Sequence, residues 1–133
     1  MTIVVVAAVV EQDHHFLVTQ RQPGVHLAGM WEFPGGKVAP DESHDSALKR
    51  ELREELEVGI EVGELIFETT HAYPDRTVVL HFYRCRLTGS PRPSLGQEMR
   101  WVSRNDLPSL CFPPADAALI ERLVKSDVRS RWP

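Results

Sequence analysis

Residues Ile3 to Val10 read IVVVAAVV, an apolar run of eight residues with no polar interruption. Six of the eight are valine or isoleucine, whose branched Cβ favours extended backbone. A strand with one wet face alternates apolar and polar residues. This one does not, so both of its faces are expected to be buried. Such a strand needs a covering layer on each side, which limits the architectures open to the rest of the chain. The run is too short to cross a bilayer, which takes about 20 residues, and no basic segment precedes it.

The pattern downstream supplies the layers. Glu11 to His15 is polar and turn-like, and Phe16 to Gln20 returns as a second strand, so the two read as a hairpin. Trp31 to Phe33 is a short strand stopped by Pro34-Gly35-Gly36, and residues 37–42 form a polar loop. A helix is predicted from Ser43 to Glu57, with Ser43 as N-cap and Asp45 in the first turn, where the helix dipole favours it. Leu48, Leu52 and Leu56 form its core stripe. Gly59 and Gly63 lead into a strand near Glu64 to Thr70, and Pro74-Asp75 turns the chain into a long strand from Thr77 to Leu87. A loop over 88–96, a short strand from Met99 to Val102 and a helix from Ala115 to Lys125 complete the order. In that last helix Ala118, Leu119, Leu123 and Val124 recur at helical spacing, and the tail from Ser126 is expected to fray. The whole predicts a single α/β (α+β) domain over 1–133, a mixed β-sheet sandwiched between α-helices.

Composition narrows the function. With 42% apolar and 26% charged residues in 133, the chain has the makeup of a folded domain. A formal charge of -4 argues against a protein that binds the nucleic-acid backbone, and leaves room for a small polyanion whose charge is met by cations. Cys85 and Cys111 lack CxxC spacing and read as two free thiols in a reducing cytoplasm. The six histidines include no pair at metal spacing on a predicted helix; His14-His15 reads as a hairpin turn, and Trp31 and Trp101 as core.

The chemistry concentrates in GKVAPDESHDSALKRELREELEV, residues 36–58. At about 100° per residue, Glu51, Glu54 and Glu55 fall within an arc of about 100°, beside the leucine stripe. Two readings are open from the helix alone. One is a solvated face held by pairs such as Arg50–Glu54. The other is a carboxylate group that hard divalent cations need. Glu51–Glu55 is a like-charge pair at i,i+4, which costs a solvated helix a few tenths of a kcal/mol.

The wider spacing resembles the Nudix box, G-x5-E-x7-R-E-U-x-E-E-x-G-U with U a bulky aliphatic. Gly36, Glu42, Arg50, Glu51, Leu52, Glu54, Glu55 and Val58 match it, and Glu57 stands where the family has its second glycine. At about 7% abundance for each type, six fixed matches arise by chance with odds on the order of 10⁻⁷ per starting position. The stretch from His26 to Lys37, ending WEFPGGK, and Phe112-Pro113-Pro114-Ala115-Asp116 resemble segments of the MutT-type nucleoside triphosphate pyrophosphohydrolases, whose base-binding segment has asparagine in place of Asp116.

The resemblance implies roles. Glu51, Glu54 and Glu55 would bind metal together with the backbone carbonyl of Gly35, with Arg50 orienting the carboxylates and Glu42 bracing the loop. Glu98 would add a ligand or act as base, unless it is a solvated strand-end charge. Mg²⁺ is the implied cofactor, with Mn²⁺ as a substitute. Arg21 and Lys37 would contact phosphate or sugar, Phe33 would pack on a base or in the core, and Arg76 would sit in a substrate-closing loop or in solvent. Asp116 would read the base or cap the last helix. An ionised Asp116 only accepts hydrogen bonds, so it would oppose O6 of an 8-oxopurine unless protonated. The implied reaction is Mg-dependent cleavage of a nucleoside triphosphate to monophosphate and pyrophosphate, chiefly to clear 8-oxo-dGTP, with a preference for CTP or methylated dCTP as the alternative. Partners are expected to be the nucleotide alone, without nucleic acid or membrane, and the chain monomeric or dimeric. Glu57 is expected to move the helix end to Gly59.

Overall fold

A computed structural model describes residues 1–125; the tail from Ser126 lies outside them. The elements are strands β1 (Thr2–Gln12), β2 (His15–Gln20), β3 (Trp31–Glu32) and β4 (Gly35–Lys37), helix α1 (His44–Leu56), strands β5 (Ile60–Tyr73), β6 (Arg76–Leu87) and β7 (Met99–Ser103), and helix α2 (Ala117–Lys125). Two 3₁₀ turns, Arg104–Ser109 and Pro114–Asp116, lie between β7 and α2.

β1 is the central strand. It pairs parallel with β6 and antiparallel with β4, and its end continues into an antiparallel hairpin with β2. β2 pairs with β3 and β7, and β5 closes the far edge against β6. The sheet is therefore mixed. Val6, Ala8 and Val10 face one layer with Leu48, Leu52 and Leu56 of α1. Ala7 and Val9 face the other with Leu119, Ile120 and Leu123 of α2. The double-faced burial expected of Ile3–Val10 is the arrangement observed from Val6 to Val10. Among the described residues no helix is long and apolar enough to cross a membrane.

Several boundaries differ from expectation. Only Asp13 and His14 form the β1–β2 turn, both at positive φ, because pairing of Gln12 with His15 carries the strands to that two-residue link. β5 is twice the expected length and accommodates Gly63 within irregular register. In α2, Ile120 is buried and Ala118 exposed. Gly35-Gly36 does not merely break β3: it forms β4, in register with Ala7 and Val6. Glycine is required there because a Cβ on Gly35 would collide with the Val6 carbonyl, and one on Gly36 with the carboxylate of Glu51.

The end of α1 is also corrected. It does not shift to Gly59. Glu57 itself adopts the left-handed conformation (φ 51°, ψ 39°), and its N–H donates to the Arg53 carbonyl at 3.1 Å. A side chain in that region costs about 1–2 kcal/mol, and glycine returns about 0.4–1 kcal/mol through unfolded-chain entropy. Glu57→Gly should therefore stabilise the protein by about 1 kcal/mol, roughly 3–4 °C in a thermal melt, with activity unchanged. A lower melting temperature would show that the Glu57 side chain contributes more than its strain costs.

Candidate active site

Arg50 organises the site. Its guanidinium donates to both oxygens of Glu42 at 2.8 and 2.9 Å, to Glu51 at 3.0 Å and to Glu54 at 3.4 Å. It also donates to the Lys37 carbonyl at 3.1 Å, so one side chain joins β4, the loop and α1. Glu42 accepts from the Ala39 N–H at 2.9 Å as well. The Arg50 fork, reinforced by that backbone bond, holds the Glu42 carboxyl down at about 2.

The Glu51 carboxylate lies over Gly36, where only a missing side chain leaves room. Glu54 is more than half exposed. Glu55 points into a cleft of about 180 Å³ that Gly35, Glu32, Thr19 and Gln97 also line. Burial first, then a hydrogen bond with Glu51 and the charges of Glu32, Glu51 and Glu54, raises the Glu55 carboxyl well above its usual range. Burial likewise raises Glu32, against the pull of Arg21, whose Nη1 lies 2.7 Å from it.

This crowding of oxygen donors and like charge fits a hard divalent cation. Among the described residues no three histidine, cysteine, aspartate or glutamate side chains are grouped closely enough to hold a metal ion by themselves. Mg²⁺ is commonly held by one or two carboxylates plus phosphate oxygens.

A second cleft of about 110 Å³ brings together Arg21, Lys37, Arg76, His26 and Tyr73. Arg21 lines both clefts and is anchored by Glu32 and by the His26 carbonyl at 2.6 Å. Asp116 is 4% exposed. Burial, then the charge of Glu32, pushes it up to about 7 against the opposing charge of Arg21. A larger apolar groove of about 540 Å³, lined by Leu107, Phe112 and Ile120, contains none of these carboxylates.

The model of the NUDIX domain matches residues 5–122. The chain belongs to the Nudix hydrolase family. It is 39% identical over 118 residues to the CTP pyrophosphohydrolase of Escherichia coli (strain K12), covering 88% of this chain and 87% of that one. It is 41% identical over 108 residues to an 8-oxo-dGTP diphosphatase of Haemophilus influenzae, covering 80% and 79%. The crystal structure of a MutT Nudix hydrolase from Burkholderia pseudomallei superposes with a TM-score of 0.82 at 28% identity, covering 91% of this chain and 97% of that one.

Within this Nudix fold the expected site residues divide. Arg50, Glu51, Glu54, Glu55 and Gly35 come together, and Arg21, Lys37 and Arg76 share the neighbouring cleft. Arg76 is also paired with Asp75 at 2.8 Å. Phe33 goes to the core: it is 3% exposed, stacked on Phe112 and edge-on to Phe82, so its ring presents no face to a base. Glu98 is exposed and is not among the residues lining the Glu55 cleft, where its neighbour Gln97 points instead. Gln97 and Glu32 are the residues that sequence reasoning passed over. Glu32 could have been found from strand alternation, since Trp31 beside it is buried and the next side chain must face the other way.

Proposed function

We propose that this Nudix hydrolase cleaves nucleoside triphosphates to monophosphate and pyrophosphate in the cytoplasm, with 8-oxo-dGTP as the leading substrate. One observation carries the reading: Arg50 gathers Glu42, Glu51 and Glu54 beside Gly35–Lys37, next to a cleft lined by Arg21, Lys37 and Arg76. Glu51, Glu54, Glu55 and the Gly35 carbonyl would hold Mg²⁺, or Mn²⁺ in its place, which neutralises phosphate oxygens when bound.

The chain's own groups do the rest. Lys37 and Arg76 attract the phosphate chain, and Arg21 is presented to it by Glu32 and the His26 carbonyl. Arg50, by fixing Glu51 and Glu54 from one guanidinium, keeps the carboxylates in place as charge shifts during in-line attack. A carboxylate accepts the attacking water's proton.

A second reading, preference for CTP or methylated dCTP, is favoured by Asp116 as an acceptor and by the likeness to the Escherichia coli CTP pyrophosphohydrolase. Two assays test the proposal. In H₂¹⁸O, label should enter pyrophosphate and not the monophosphate. Across 8-oxo-dGTP, CTP and ADP-ribose with Mg²⁺, a triphosphate should have the highest kcat/KM. Label in the monophosphate, or a preference for ADP-ribose, would overturn the reading.

A further inference from the structure

Two of the three proposed acidic ligands, Glu54 and Glu55, lie in the last turn of α1, which ends at Leu56. The final carbonyls of a helix have no intrahelical donor, and last turns fray. Here each is satisfied. The Arg53 carbonyl takes the Glu57 N–H at 3.1 Å, and the Leu56 carbonyl takes the Arg92 N–H at 2.8 Å. The Ser94 hydroxyl is shared between the carbonyls of Glu54 at 2.5 Å and Glu55 at 2.9 Å. The Glu55 carbonyl also accepts from the Ser94 N–H at 3.0 Å and from Nε2 of Gln97 at 3.0 Å.

All but the first of these donors come from the loop between β6 and β7. Any residue can supply the backbone N–H groups; the Ser94 hydroxyl and the Gln97 amide depend on side-chain identity. Gln97 is only 9% exposed although Gly96 and Glu98 on either side are exposed. Its Oε1 accepts from the Leu95 N–H at 2.9 Å, which orients the amide so that Nε2 faces α1. The helix end carries roughly half a negative charge beside the crowded carboxylates, and donors placed there reduce that repulsion.

We infer that Gln97, assisted by Ser94, is a positioning residue for the cation site: it holds the Glu54–Glu55 turn in ligating geometry through the helix carbonyls. The inference rests on the proposed role of these glutamates. Cation ligands must be placed to within a few tenths of an ångström, whereas a frayed turn would spread them further. Supporting groups behind metal ligands typically change affinity by about 10–100-fold, and a group acting through the backbone should fall at the low end.

The test is Mn²⁺ titration of the full chain without nucleotide, followed by electron paramagnetic resonance of free Mn²⁺, for wild type, Gln97→Met and Ser94→Ala. Gln97→Met should weaken Mn²⁺ binding by about tenfold and Ser94→Ala by about threefold. The Mg²⁺ concentration for half-maximal activity should rise in parallel, with the nucleotide KM at saturating Mg²⁺ unchanged. Gln97→Met with a lower melting temperature but wild-type Mn²⁺ affinity overturns the inference. If Gln97→Met does not fold, Ser94→Ala decides, and unchanged affinity there overturns it equally. Wild type that binds Mn²⁺ but cleaves no triphosphate would remove the proposed reaction while leaving the positioning result intact.

Discussion

Glu54→Gln should abolish nearly all pyrophosphate release while leaving the fold intact. Charge stabilisation at a metal-assisted site is worth several kcal/mol, so losing a charged ligand without changing side-chain volume should lower kcat/KM by about 10²–10³ or more. Stability should not fall with it. Glu54 is more than half exposed, its contact with Arg50 is long at 3.4 Å, and its charge works against the neighbouring Glu55. Circular dichroism should be unchanged and the melting temperature equal or higher. This opposition of signs separates a functional carboxylate from a structural one: a solvated helix held by ion pairs would lose a little stability and no activity. A fully active Glu54→Gln enzyme would remove this residue from the ligand set.

Substrate choice should vary with pH, through Asp116. The groups that act electrostatically on it are Glu32, Arg21 and Tyr73, and burial is the largest influence, raising its carboxyl from 3.8 to about 7. Below pH 7 the protonated acid can donate to O6 of an 8-oxopurine; above it the carboxylate repels that oxygen and accepts from amino groups instead. The ratio of kcat/KM for 8-oxo-dGTP to that for CTP should therefore fall as pH rises through about 7. A hydrogen bond is worth about 0.5–1.5 kcal/mol, so the fall should be a few-fold to roughly tenfold. Asp116→Asn, which can donate at any pH, should flatten this dependence and exceed wild type in the ratio above pH 7.

Stability supplies a second readout of the same group. Between pH 4 and 7 the unfolded chain has released the Asp116 proton and the folded chain retains it. Wild type should thus lose stability relative to Asp116→Asn as pH rises across that window, by about 4 kcal/mol at most, and remain level above it. Equal substrate ratios for wild type and mutant at every pH would reduce Asp116 to a structural role at the start of α2. Base selection would then lie with Arg76 or backbone groups.

Much of this was legible in the sequence because it rests on short-range periodicity. Residues three and four apart share a helix face, so the spacing of Leu48, Leu52 and Leu56 determined which side of α1 is buried, and the spacing of Glu51, Glu54 and Glu55 determined which side gathers charge. The unbroken apolar run in β1 likewise determined a sheet covered on both faces. What the tertiary structure alone decided involves partners distant in the chain. Gly35–Lys37 became a strand because β1, some 30 residues earlier, offered it an open edge. Phe33 turned to the core because Phe82 and Phe112 meet it there. Glu57 ends the helix itself, since the start of β5 at Ile60 leaves no room for another turn. Gln97 and not Glu98 faces Glu55, because pairing of β7 with β2 fixes how that loop approaches α1. Local spacing specifies which side chains share a face; only the completed packing specifies what that face meets.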